Sequence, residues 1–168
     1  MSLETRTTLD DATVAELGEL LVDAVEGGAS VSFLPGLAQA EAEAFWRRQL
    51  PLPARGAIVI ARGEDGIDGC VMLVPAWAPN QAHRGEVAKL LVHRRARRRG
   101  LGRALMAALE AHARAVGLTL LTLDTLRGDS AERLYRVGGW SEAGSIPRFA
   151  MSATGELGDT VLFYKSLA

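Results

Sequence analysis

Between residues 14 and 25 the apolar positions fall at Val14, Leu17, Leu20, Leu21 and Val25, the three-and-four spacing of one helical face. Asp residues open this stretch and Gly27 and Gly28 close it, so it reads as a helix capped at both ends. The segment 37–50, LAQAEAEAFWRRQL, predicts a second helix that stops before the prolines of PLPARG. The period then changes. GAIVIAR and GCVMLVPAW are short apolar, β-branched runs separated by GEDGIDG, the pattern of a hairpin. After a loop at 77–84, EVAKLLVH (86–93) predicts a further strand. RALMAALEAHARAV (103–116) predicts an amphipathic helix closed by Gly117, with Leu105, Met106 and Leu109 on its core side. LTLLTLDTL (118–126) is nearly continuous in apolar residues and predicts a largely buried strand. DSAERLYRVGGW holds a short helix with Asp129 or Ser130 as N-cap, and two closing strands flank SATGELGD, the second of them TVLFYKSL. With a first strand in ETRTTLD (4–10), the order is βααβββαβαββ. That order predicts an α/β (α+β) chain whose mixed, mostly antiparallel sheet has six to seven strands flanked by about four helices.

Bulk properties narrow the functional classes. A chain of 168 residues, 48% hydrophobic and 23% charged, is long enough to bury its own core and falls in the globular range. With no internal repeat or low-complexity linker, 1–168 reads as a single domain. Its longest apolar runs reach about ten residues, short of the roughly 20 needed to cross a bilayer. The acidic N-terminus has no apolar core of a secretory signal, so a cytoplasmic protein is the expectation. The one cysteine, Cys70, excludes an internal disulfide and a cysteine-built zinc site; in GCVML it reads as a small buried hydrophobe rather than an acyl carrier. His83, His93 and His112 show no metal-ligand spacing, so no metal is expected.

Charge raises the sharper question. Six arginines crowd positions 94–103, yet 19 basic residues against 20 acidic ones leave a formal charge of −1. Nucleic-acid binders carry their positive excess over a whole face, so this local cluster points to a small anion, with nucleic acid the weaker reading. Its position supports that. Arg97, Arg98, Arg99, Gly100, Leu101, Gly102 and Arg103 lie between a predicted strand and a predicted helix. The first turn of a helix offers backbone N–H groups without intrahelical partners, glycines allow close approach, and arginines add charge-assisted hydrogen bonds. Strand, basic glycine loop, helix is an arrangement that holds a pyrophosphate. It is neither a Walker loop nor a Rossmann fingerprint, since position 105 is Leu.

The R-x-x-G-x-G of residues 97–102, preceded by KLLVH and followed by RALM, resembles the [QR]-x-x-G-x-[GA] motif of the GCN5-related N-acetyltransferase (GNAT) superfamily. SAERLYRVGGW resembles that family's A-x-x-L-Y-x-x-x-G-[FW] helix and turn. The likeness covers 86–165 in motifs and the remainder in element order. EVAKLLVHRRARRRGLGRALM, LLTLDT, AERLYRVGGWSEAGSIPRFA and LFYKSL resemble more closely the tabtoxin-resistance acetyltransferase branch. The resemblance implies a sheet splayed between its fourth and fifth strands, with acetyl-coenzyme A in the gap. Backbone amides of 98–103 would hold the pyrophosphate, and Leu91 and Val92 would pair with the pantetheine as a strand does. In one respect the chain departs from the pattern: many members carry Asn where this chain has Gly128, and Ser130 is the residue placed to substitute at the cofactor.

Acetyl transfer to an amine poses two proton problems. An ammonium near pKa 10 must lose a proton before it attacks, and the departing thiolate must gain one. Glu86, opening the fourth strand, and Asp124, late in the fifth, are carboxylates on neighbouring strands that would serve the amine; the tabtoxin-resistance branch implies the same two positions. Tyr135 matches the family's thiolate-protonating tyrosine. A free backbone N–H of the splayed strand would stabilise the oxyanion. The expected function is N-acetylation of a primary amine on a small molecule, an amino acid or amino-acid-like toxin, by direct attack in a ternary complex. A protein or peptide N-acetyltransferase and a non-catalytic coenzyme A-binding module remain the rival readings. The closing strands could pair across a homodimer.

Overall fold

The computed structural model describes residues 2–167. Its elements run β1 (Ser2–Arg6), α1 (Asp11–Glu26), α2 (Gln39–Arg48), β2 (Ala57–Gly63), β3 (Gly66–Pro75), β4 (Arg84–Val92), α3 (Leu101–Ala115), β5 (Leu120–Leu126), α4 (Ser130–Val137), β6 (Ser141–Met151) and β7 (Leu157–Ser166). This is the expected order, with short 3-10 turns added at Pro79–Gln81 and Arg94–Ala96. Local chemistry explains most boundaries. Asp10 accepts the Thr13 N–H at 2.8 Å, which caps α1 and ends the preceding extended chain earlier than ETRTTLD suggests. Asp129, rather than Ser130, caps α4. Helix α3 starts two residues ahead of RALM, because Gly100 takes the N-cap position at φ +79°, which a side chain would oppose.

The strands form one seven-stranded sheet in the order β1-β2-β3-β4-β5-β7-β6. All neighbours are antiparallel except β4 and β5, which run parallel. Two apolar clusters cover its two faces. On one, α1 and α2 pack against Ile58, Ile60, Cys70 and Met72. On the other, α3 packs with Leu105, Met106 and Leu109 against Val59, Val71 and Leu73, joined by Tyr135, Trp140 and Phe163. The five apolar positions that define the α1 stripe in the sequence are each at most 1% exposed. Burying such a side chain contributes about 1.5–3 kcal/mol. Trp46 ties α2 to α1 by donating its indole N–H to the Leu17 carbonyl at 2.8 Å. Lys165 at the end of β7 reaches Glu110 of α3 with 2.8 Å contacts to both carboxylate oxygens and donates to the Gly138 carbonyl at 2.7 Å, so α3, α4 and β7 are locked together.

Two irregularities in β4 break the regularity of the sheet at its centre. Pairing with β5 covers Arg84–Leu120, Gly85–Leu121 and Glu86–Thr122 and stops there, so the strands part beyond Glu86. Pairing with β3 shifts register: Cys70 opposes Leu91, but Met72 opposes Ala88, which leaves one extra residue on β4. Lys89 stands in that bulge at φ +52°.

Candidate functional site

The parting of β4 from β5 opens a cleft of about 810 Å³ whose walls include Glu86, Leu91 and Val92 of β4, Asp124 of β5, Tyr135 of α4 and the start of α3. Since residues 87–92 have no partner on β5, the β4 backbone presents an unpaired strand edge to this cleft. Leu91 is buried in the core, so only its backbone is available there; Val92 is half-buried.

One end of the cleft is built for an anion. The first helical bond of α3 runs from the Ala104 N–H to the Gly100 carbonyl (3.1 Å), so the amides of Leu101, Gly102 and Arg103 have no intrahelical acceptor. Arg98 (φ +62°) and Gly100 (φ +79°) both take left-handed backbone, which curls the N–H groups of 98–103 into a concave nest. At Gly102 an added Cβ would lie 3.3 Å from Leu134 Cδ2, so its lack of a side chain keeps α3 close to α4.

The arginines divide into two groups. Arg94 donates its backbone N–H (2.9 Å) and Nε (2.7 Å) to Asp23 of α1. Arg95 reaches Asp68 (2.7 Å) and the carbonyls of Asp65 and Ile67. Arg97 turns its Nε back to the Val92 carbonyl (3.1 Å). These three pin the loop to the rest of the fold. Arg98, Arg99 and Arg103 stand exposed, and Arg97, whose guanidinium meets only a carbonyl, lines the cleft, so these four have charge to offer a ligand. Burial would raise the Asp23 carboxyl, but the Arg94 N–H and guanidinium outweigh it and hold it below the usual range. His93 lies 3.6 Å from the same carboxylate and accepts the Arg95 N–H.

Glu86, Asp124 and Tyr135, which line the same cleft, are the candidate proton-transfer groups. Glu86 and Thr122 are register partners, so Glu86 and Asp124, two residues further along β5, project from the same sheet face. Both are exposed at the fork, and Asp124 accepts the Thr160 hydroxyl from β7 at 2.9 Å. Tyr135 is 6% exposed, with its ring 5.9 Å from Trp140 and 6.0 Å from Phe163. Burial, then the negative charges of Asp129 and Asp124, push its hydroxyl above the ordinary tyrosine value, so it keeps its proton at neutral pH. Ser130 borders the cleft with its hydroxyl donated to Asp129 at 3.1 Å. Gly128 holds φ +83°, a backbone conformation that disfavours most side chains, and its N–H is taken by Glu132 (2.7 Å). Cys70 is fully buried and its thiol is pushed up by desolvation, as an inert core cysteine would be. No group of three or more potential metal ligands occurs among the described residues.

Three features escaped the sequence reading: Asp23, Thr160 and Lys89. Asp23 sits on the buried side of α1, where a lone carboxylate within LLVDAV signals a hidden partner. Lys89 interrupts the apolar run VAKLLV, which is the corresponding signal in β4.

Comparison with known proteins converges on one family. The profile of the acetyltransferase (GNAT) family matches residues 17–139. An uncharacterized N-acetyltransferase from the hisH-hisA intergenic region of Azospirillum brasilense is 31% identical over 126 residues, 74% of each chain. Among solved structures, an N-acetyltransferase from Staphylococcus aureus Mu50 superposes with TM-score 0.82 at 15% identity over 100% of both chains. The structure of yncA from Salmonella typhimurium, solved with its cofactor acetyl-CoA, gives TM-score 0.80 at 18% identity over 100% of this chain and 95% of the other. A ribosomal-protein-alanine N-acetyltransferase from Brucella melitensis gives 0.77 at 21% identity, over 97% and 99%. At these identities the structural likeness speaks for the fold.

Proposed function

The chain belongs to the acetyltransferase (GNAT) family and is therefore an acyltransferase, and from that premise we propose that it acetylates the primary amine of a small, amino-acid-like molecule by direct attack in a ternary complex. The observation that carries this reading is the fork: β4–β5 pairing stops at Glu86–Thr122, and the cleft so opened has an anion nest at one end and Glu86, Asp124 and Tyr135 along its walls. The residues present fit acetyl-coenzyme A, the family's acyl donor. The nest of 98–103 would hold the pyrophosphate with Arg98, Arg99 and Arg103 around it, and the free edge of β4 would align the pantetheine. When bound, it supplies a thioester activated toward amines.

The chain's own groups do the rest. Glu86 and Asp124 bind the acceptor's ammonium and pass its proton to water, which frees the nitrogen lone pair. A backbone N–H on the unpaired β4 edge stabilises the oxyanion. Tyr135 holds a proton on its hydroxyl at neutral pH and is the donor for the leaving sulfur. Ser130 borders the same cleft and assists cofactor binding in place of an Asn at 128. The motifs shared with the tabtoxin-resistance branch support an amino-acid-like acceptor, and the single continuous sheet supports treating 1–168 as one catalytic domain.

The test is a calorimetric titration with acetyl-CoA, followed by thiol release against a panel of amines and amino acids. Micromolar binding with acceptor-dependent release is the expected result. Binding without release from any small acceptor would overturn the small-molecule assignment and leave a protein-directed enzyme or a coenzyme A sensor.

A further inference from the structure

The acceptor end of the cleft contains a cation that the acetyl-transfer steps do not use. Strict alternation along β4 would send Ala88 and Lys89 to opposite faces of the sheet. The bulge breaks that alternation: Ala88 packs with the α1–α2 cluster, and the Lys89 side chain reaches the same side. Its ammonium lies 5.2 Å from the Phe45 ring centre and 5.9 Å from that of Phe33, and it donates to the Ser32 hydroxyl at 3.2 Å. The two rings meet edge to face at 5.4 Å. Ser32 itself holds φ +72°, so two non-glycine residues in left-handed backbone face each other across the wall of the cleft. Such conformations cost free energy and persist where surrounding structure imposes them, most often at ligand sites.

The electrostatics have a definite sense. Aromatic faces and a hydroxyl hold the ammonium in place without neutralising it. No carboxylate among the described residues lies within 4.0 Å of it, although Asp124 and Glu86 act on it from further away. Burial lowers its proton affinity and those two carboxylates oppose the change. The other cleft-lining cations, Arg97, Arg98, Arg103 and Arg133, belong to the basic loop and to α3 and α4, at the nest end.

We propose that Lys89 is the anion-binding residue of the acceptor subsite, and that its ammonium receives a carboxylate carried by the same molecule whose amine is held by Glu86 and Asp124. The inference rests on the amine-acetylation reading and deepens it by assigning the residue that selects amino acids over simple amines. A neutral or cationic acceptor would leave the half-buried ammonium without a counterion, whereas a zwitterion satisfies both ends of the subsite. Phe33 and Phe45 fix where the charge sits, and Ser32 orients it.

The experiment compares kcat/KM for matched pairs, each an amino acid and the amine made by removing its carboxylate, in the wild type, Lys89→Met and Lys89→Arg. The wild type is expected to favour the acids. Lys89→Met should raise KM for the acids roughly 10- to 100-fold, the usual effect of losing a charge-assisted hydrogen bond, and collapse the acid-to-amine ratio toward one. Lys89→Arg should keep that ratio above one. A wild type indifferent to the carboxylate overturns the inference, as does a ratio that survives in Lys89→Met. Both results leave amine acetylation standing. Thiol release by the wild type from neither member of any pair, with acetyl-CoA still binding, overturns the small-molecule reading and this inference with it. If Lys89→Met does not fold by circular dichroism, the wild-type and Lys89→Arg ratios decide alone.

Discussion

Gly100 shows how one residue can serve both fold and ligand. Its φ of +79° starts α3 in a left-handed turn, and nothing lies within 4 Å of where a Cβ would be, so a substitution meets strain rather than a clash. Gly100→Ala should therefore fold with a penalty of about 1–2 kcal/mol, and calorimetry should show acetyl-CoA affinity reduced about 5- to 10-fold as the nest distorts. The carboxylates at the fork should behave differently. Glu86→Gln and Asp124→Asn keep shape and remove charge, so each should lower kcat by roughly 10²- to 10⁴-fold while acetyl-CoA affinity stays within about twofold. Full activity of both variants across pH 6 to 9 would remove them from the proton pathway. Glu86 and Asp124 could be picked from the sequence because their types and element positions fit the chemistry, and Tyr135 because it matches the tyrosine of the resembled family's motif. Their convergence could not, because it depends on the register Glu86–Thr122 and on how α4 packs beside β5.

At the level of elements, the basic loop is a braced structure. Asp23 on α1 grips Arg94, and Asp68 on β3 grips Arg95, from 71 and 27 residues away in sequence. The Asp23 carboxyl titrates below its usual 3.8. A carboxylate lowered in the folded state contributes stability above its unfolded pKa and loses it as pH falls through the folded value. Stability should thus decline below about pH 4, and Asp23→Asn should flatten that part of the profile while costing about 1–3 kcal/mol at neutral pH. Urea unfolding of both proteins from pH 2.5 to 7 checks it. Weaker acetyl-CoA binding in Asp23→Asn would confirm that the brace positions the nest.

Across the whole molecule, the two apolar clusters reinforce β2 and β3 from both sides, whereas the β5–β7–β6 half leaves Leu162 and Tyr164 exposed on the face that Asp124 shares. Within the sheet the halves pair at three positions of β4 and β5 before they diverge, and the α3-side cluster joins them on one face. A ligand filling the cleft bridges them and adds contacts that the unfolded chain lacks. Acetyl-CoA at 100 times its Kd should stabilise by about 2.7 kcal/mol, a Tm increase of about 5–10 °C for a chain this size. Scanning calorimetry with and without ligand measures it. Because the net charge is only −1 while the nest end is basic, rising salt at a fixed acetyl-CoA concentration should reduce the shift through local screening.

Period, caps and breakers are properties of neighbouring residues. The sequence alone therefore determined the helices, the order of elements along the chain, the core stripe of α1 and the placing of a basic glycine loop between a strand and a helix. The tertiary structure decided what depends on register between distant segments. It set where β4 leaves β5, which arginines are paired with Asp23 and Asp68, and which keep their charge for a ligand. It also turned Lys89 into the cleft. A strand's alternation assigns side chains to faces only while the ladder is regular, and the single extra residue opposite β3 reassigned this one.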